Sequence, residues 1–110
     1  PFCVEKYFTF GVSEYIPDKP SYTKLNEIST YLKSNSFKIN DLVIIGHTDT
    51  DSTDSYNYSL SIKRAGYIKK ELKMLGVDQN IKIIGKGESE PIIIGGIEDK
   101  QASRRVELCY

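Results

Sequence analysis

The chain has 110 residues, which suits one compact domain, and its 39% hydrophobic content allows a modest core. Fifteen basic and fifteen acidic residues give a formal net charge of zero, which argues against a duplex nucleic-acid binder and gives no attraction to an anionic membrane. No stretch approaches the roughly 20 apolar residues of a membrane-spanning helix. The chain begins at Pro1 with neither Met nor signal peptide, so residues 1–110 are expected to be a single domain excised from a longer precursor.

Val4 to Phe10 reads as a first strand, rich in aromatic and β-forming residues. Between Phe2 and Phe10, the side holding Val4, Phe8 and Phe10 is interrupted by Lys6, and Cys3 falls on the other side with Glu5 and Thr9. Gly11 to Lys19 is a loop. Pro17 and Pro20 bracket Asp18-Lys19, which marks a helix start with Pro20 in its first turn. Tyr22, Leu25, Ile28 and Leu32 recur at three and four residues and predict a helix of about four turns. Lys24, Asn26, Glu27 and Ser29 would face water. After a turn at Asn40-Asp41, the run Leu42-Val43-Ile44-Ile45 predicts a strand buried on both faces or central in a sheet.

A polar loop from Thr50 to Ser55 leads to a second helix, with Asp54 or Ser55 as its N-cap. Leu60, Ala65, Ile68, Leu72 and Leu75 form its buried stripe, and Gly76 is a fitting stop. Gly66 within it costs about 1 kcal/mol relative to Ala, which suggests close packing there. Ile81 to Ile84 predicts a third strand. Ile92-Ile93-Ile94 suits a short strand or a cover for the core edge, and Glu98 to Ser103 a loop or short helix. Arg104 to Tyr110 is the final strand, with Cys109 opposite in parity to Val106 and Leu108. The order is βαβαββ, an α/β (α+β) two-layer sandwich.

The stretch Gly46-His47-Thr48-Asp49, continuing to Asn57, Leu60-Ser61 and Arg64-Ala65, joins the end of an apolar strand to an amphipathic helix. Ligands in α/β proteins favour such places. A carboxylate at Asp49 and a guanidinium at Arg64, near but not neutralising each other, would suit a zwitterion. Read locally, Asp49 suits a turn cap and Arg64 a solvated helix position. A cation near a helix N-terminus is poorly placed without a partner, however. His47 is the one histidine and has no Cys neighbour. The run Asp49, Asp51, Asp54 lacks the Gly at position six and the Glu at position twelve of a calcium loop, where Leu60 stands instead. No Gly-x-Ser-x-Gly elbow accompanies Ser52 or Ser55. No metal, cofactor or catalysis is expected.

His47-Thr48-Asp49, Tyr56-Asn57, Leu60-Ser61 and Arg64-Ala65 resemble, without a gap, the signature of the OmpA-like C-terminal domain. Gly85-Lys86-Gly87-Glu88, Pro91-Ile92 and Arg104-Arg105-Val106-Glu107 follow in the family's order, so the resemblance covers nearly the whole chain. It implies a mixed four-stranded sheet with two main helices on one face. It also implies a non-catalytic module that binds the meso-diaminopimelate of a peptidoglycan stem peptide. Asp49 would take its ammonium and Arg64 its carboxylate. Thr48 and Asn57 would line the pocket, Arg104 would stand at its edge, and Gly11 would offer backbone only. Such a module would anchor a larger envelope protein in the periplasm of a Gram-negative bacterium, at the outer membrane.

The same resemblance makes the first and last strands antiparallel neighbours and brings Cys3 near Cys109. A disulfide and two unrelated thiols both remain open. Ser52 stands where the family usually has Gly, and Ser103 where it usually has Asn. These departures support an alternative, the same fold acting as a protein-interaction module of an envelope or secretion complex, with envelope proteins or a second copy as partner.

Overall fold

The computed structural model describes residues 3–110, the side chains of residues 5–7 excepted. The expectations for Phe2, Glu5 and Lys6 lie outside the described residues. The main sheet holds β1 (Cys3–Thr9), β2 (Asp41–Gly46), β3 (Asn80–Gly85) and β6 (Arg105–Cys109) in the order β1-β6-β2-β3. β6 is antiparallel to both neighbours and β2 is parallel to β3, so the sheet is mixed. Helices α1 (Lys19–Tyr22), α2 (Lys24–Ser34) and α3 (Asp54–Met74) fill the first two connections. A hairpin of β4 (Ile93–Ile94) and β5 (Ile97–Glu98), then α4 (Lys100–Ser103), intervenes before β6. This is the expected α/β sandwich with a small hairpin added.

Alternation builds the core. Phe8, Leu42, Ile44, Ile81, Val106 and Leu108 from the strands meet Leu25, Ile28, Leu32, Ala65, Ile68 and Leu72 from α2 and α3. β2 lies inside the sheet between β6 and β3 and alternates between buried and partly exposed positions, so of the two readings of its apolar run the central strand holds. β6 is the strand buried throughout. Arg105, which reads from sequence as a strand surface residue, is 3% exposed, and its Nε donates to Glu107 Oε2 at 2.9 Å. Central position in the sheet overrides the polar pattern. The Cys3 and Cys109 Sγ atoms are bonded, across a register in which the two residues face each other. Parity put both on a polar face, yet Cys109 is buried and Cys3 exposed.

The first predicted helix is two. Asp18 caps α1 by accepting from Ser21 N, Pro20 sits in the first turn, and the helix breaks at Thr23 before α2 begins. The break turns Tyr22 outward, where its hydroxyl donates to Glu71, while Ser29 is buried instead of solvated. α3 is capped by Thr53 rather than Asp54 or Ser55, through a Tyr56 N–H bond to its hydroxyl. It ends in a Schellman arrangement: Gly76 has φ 94, and Val77 N donates to Leu72 O at 3.0 Å. The close approach lies at Gly46 rather than at Gly66. A Cβ on Gly46 would fall 1.9 Å from Ser61 O, whereas one on Gly66 would meet only Ile83 Cδ1 at 3.8 Å. Gly46 lets the end of β2 lie against the backbone of α3, and so delivers residues 47–49 beside the first half of that helix.

Candidate functional site

The polar stripe of α3 faces this delivery point. Asn57, Ser61 and Arg64 are buried on it, and the stripe becomes apolar from Ala65 onward. A cleft of about 90 Å³ opens among Thr48, Asp49, Asn57, Arg64, Arg104 and the loop after β1. Val12, Ser13, Asp51, Ser52, Tyr56 and Leu60 complete its lining.

Arg64 has no exposed surface. Its Nε donates to Glu14 O at 2.7 Å, Nη1 to His47 O at 2.9 Å and Nη2 to Gly11 O at 3.1 Å. Its guanidinium carbon also lies 4.9 Å from the centre of the Phe10 ring. Among the described residues it forms no ion pair. Burial pushes its pKa down to about 10, partly offset by the Asp49 charge, so it stays cationic at neutral pH. This side chain ties together two segments that α3 would otherwise leave apart, the loop after β1 and the end of β2. The His47 carbonyl among its acceptors is buried, and an orphaned buried acceptor is costly.

Asp49 is also buried, and both local and ionic partners hold it. Its Oδ1 accepts from Asp51 N at 3.0 Å, closing a short Asx turn, and its Oδ2 accepts from Arg104 Nη1 at 2.9 Å. Asp49 and Arg64 thus do not neutralise each other, but Asp49 is not free either. Arg104 Nε donates to Phe10 O, which fixes its fork between β1 and the cleft. Arg64 and Arg104 line the cleft with Asp49 and Asp51, Asp51 pairs with Lys100 at 2.8 Å, and Glu88 stands on Asn57, so both signs of charge are present and balanced.

The remaining candidates serve partly as ties. Asn57 Nδ2 donates to Asp51 O and to Glu88 Oε1, the latter at 2.7 Å, so it joins the 49–51 loop to the segment after β3. Thr48 is buried, its hydroxyl on Asp49 O and its N–H on Gly87 O. Gly11 contributes its carbonyl, to Arg64. Ser52 adopts φ 73, the conformation for which Gly is suited, so the loop keeps its bend despite the side chain. Ser103 does not leave its loop loose: its hydroxyl accepts from Ile92 N and donates to Asp99 O.

Glu88 and Tyr56 join the site from the motifs Gly85-Lys86-Gly87-Glu88 and Tyr56-Asn57. Val12 and Ser13 enter its rim through the path of the loop after β1, which no periodicity reports. His47 points away from the cleft chemistry into the sheet. It has no exposed surface, and its Nε2 lies 3.3 Å from Glu107 Oε2 without hydrogen-bond geometry. Burial, then Arg105, pushes its pKa down to about 4. Among the described residues no three His, Cys, Asp or Glu side chains are grouped to hold a metal, and no helix is long and apolar enough to cross a membrane.

Residues 7–105 match the sequence model of the OmpA family. The chain belongs to the OmpA family. A peptidoglycan-associated lipoprotein from Legionella pneumophila is 33% identical over 100 residues, 89% of this chain and 52% of that protein. The crystal structure of the peptidoglycan-associated lipoprotein from Burkholderia pseudomallei superimposes with a TM-score of 0.76 at 28% identity, covering 91% of this chain and 84% of that one. The cell wall anchor of the T6SS from Pseudomonas aeruginosa shares the fold, with a TM-score of 0.72 at 20% identity over 96% of this chain and 76% of that one. This chain spans about half the length of the curated relatives it matches. These OmpA-family relatives are named as lipoproteins and outer-membrane proteins rather than as enzymes.

Proposed function

We propose that this domain binds peptidoglycan through the meso-diaminopimelate of the stem peptide, and so anchors a larger envelope protein to the cell wall of a Gram-negative bacterium, from the periplasm. The observation that carries the reading is Arg64, a buried guanidinium on the cleft wall that forms no ion pair among the described residues and has carbonyls and the Phe10 ring as its partners. Such a group favours an anion that can reach it. A carboxylate on the Arg64 side and an ammonium against the remaining lone pairs of Asp49 match the two ends of one diaminopimelate centre. Thr48, Asn57, Arg104 and the backbone at Gly11 shape the space between them. Family membership and the names of the relatives point the same way. Binding is expected to be modest for one copy and reinforced by many copies on one wall.

Calorimetric titration with a stem peptide containing meso-diaminopimelate tests this, with a lysine peptide as control. Arg64→Ala is a poor probe, because it removes a structural tie. Asp49→Asn keeps the shape and the acceptor toward Asp51 while losing the charge. We expect binding to the diaminopimelate peptide without divalent metal, and a loss of about ten- to a hundredfold for the lysine peptide and for Asp49→Asn, the worth of one charged hydrogen bond. No binding by folded wild type would overturn the reading.

A further inference from the structure

The cleft, at about 90 Å³, is smaller than the about 300–1,000 Å³ usual for small-molecule sites, and the guanidinium assigned to the ligand carboxylate is covered. Arg64 belongs to its wall yet exposes no surface, because the segment after β1 lies over it. We propose that residues 11–16 form a lid, in which the Gly11 and Glu14 carbonyls occupy Arg64 until a ligand carboxylate displaces them. This rests on the stem-peptide reading and adds a closed state to it.

The segment is built to swing. Its base is pinned: Asp18 N donates to Thr9 O at 2.9 Å, and the Thr9 hydroxyl bonds the Asp18 carboxylate. Against its burial, the Thr9 hydroxyl and the Ser21 N–H hold the Asp18 pKa down. Between these pins the loop is held by its two Arg64 bonds, which a ligand would replace, and by Glu14 N on Gly11 O at 3.2 Å. Val12, Tyr15 and Ile16 are largely exposed, and little apolar burial opposes opening. Ser13 sits at φ 60, a conformation that residues other than Gly rarely hold. Among the described residues one ring contact fastens the middle, Tyr15 against Tyr67 at 6.1 Å.

The exchange has a direction. A carboxylate adds the attraction of opposite charges and takes two guanidinium N–H groups in parallel, which one carbonyl cannot. The His47 carbonyl bond, on the opposite flank of Arg64, keeps the guanidinium in place when the lid leaves. Closed molecules do not bind, so the apparent affinity is reduced by the fraction that is open.

Tyr15→Ala loosens the lid without touching the cleft lining. The probes are free meso-diaminopimelate and the stem peptide, with the Arg64 Nε–H resonance followed by NMR. Because the Tyr15–Tyr67 contact is worth a modest ring-pair energy, the variant should bind about two- to tenfold tighter. In wild type the Arg64 Nε–H resonance should move on ligand addition as its acceptor changes from the Glu14 carbonyl to a carboxylate. Equal affinities with an unmoved resonance would overturn the lid and leave wall binding standing. Absence of binding by both folded proteins would overturn the stem-peptide reading and the lid with it.

Discussion

His47 lies wholly inside the protein beside Glu107 and Arg105, with Glu90 also near, and neither ring nitrogen is hydrogen-bonded. Its folded pKa of about 4 lies below the ordinary 6.5, chiefly through burial. Between these values the unfolded chain takes up a proton that the folded protein refuses. Its contribution is therefore complete above about pH 6.5 and is lost as pH falls toward 4, by about 3 kcal/mol. Urea unfolding at pH 7 and pH 5 should show about 2 kcal/mol of this loss, and His47→Gln should flatten it. An unchanged slope in the variant would assign the acid sensitivity elsewhere. At this scale the sequence pointed to Asp49, Arg64 and Arg104, because their spacing follows a motif. It did not reveal that Arg104 pairs with Asp49, or that Arg64 is spent on carbonyls, since loop paths decide both.

The element on which the cleft depends is the contact of β2 with α3. Gly46→Ala would drive a methyl group into the Ser61 carbonyl and should destabilise by about 3 kcal/mol or more, beyond ordinary overpacking. Gly66→Ala meets open packing on the same helix and should stabilise by about 1 kcal/mol through helix propensity alone. Thermal melts of the two variants should shift in opposite directions, and a parallel shift would contradict this account of the β2–α3 contact. Helix periodicity located α3 well, because Leu60, Ala65, Ile68 and Leu72 repeat along one side. It could not locate the close contact, because Gly46 and Gly66 look alike until their neighbours are known. The break at Thr23 was likewise hidden, since Tyr22 continues the apolar spacing while facing water.

On the scale of the molecule, the mixed sheet and the pairing of its first and last strands were legible through the family resemblance, while the full strand order was not. The β4–β5 hairpin was half legible, with Ile93, Ile94 and Ile97 exposed rather than covering the core. The Cys3–Cys109 bond closes nearly the whole chain, at a sequence separation of 106. Its reduction should lower stability by about 4–5 kcal/mol in the chain-entropy model. Unfolding with and without reductant measures this, and superimposable curves would refute it. The same bond has a mechanical side. β1 is an edge strand whose sheet partner is β6, and Cys3 and Cys109 sit at the same end of that pair, with their Cα atoms 4.0 Å apart. Tension applied at these two residues would otherwise unzip the strands one hydrogen bond at a time. With the bond in place the load crosses between them directly, and the cleft, at the far end of the sheet, carries none of it.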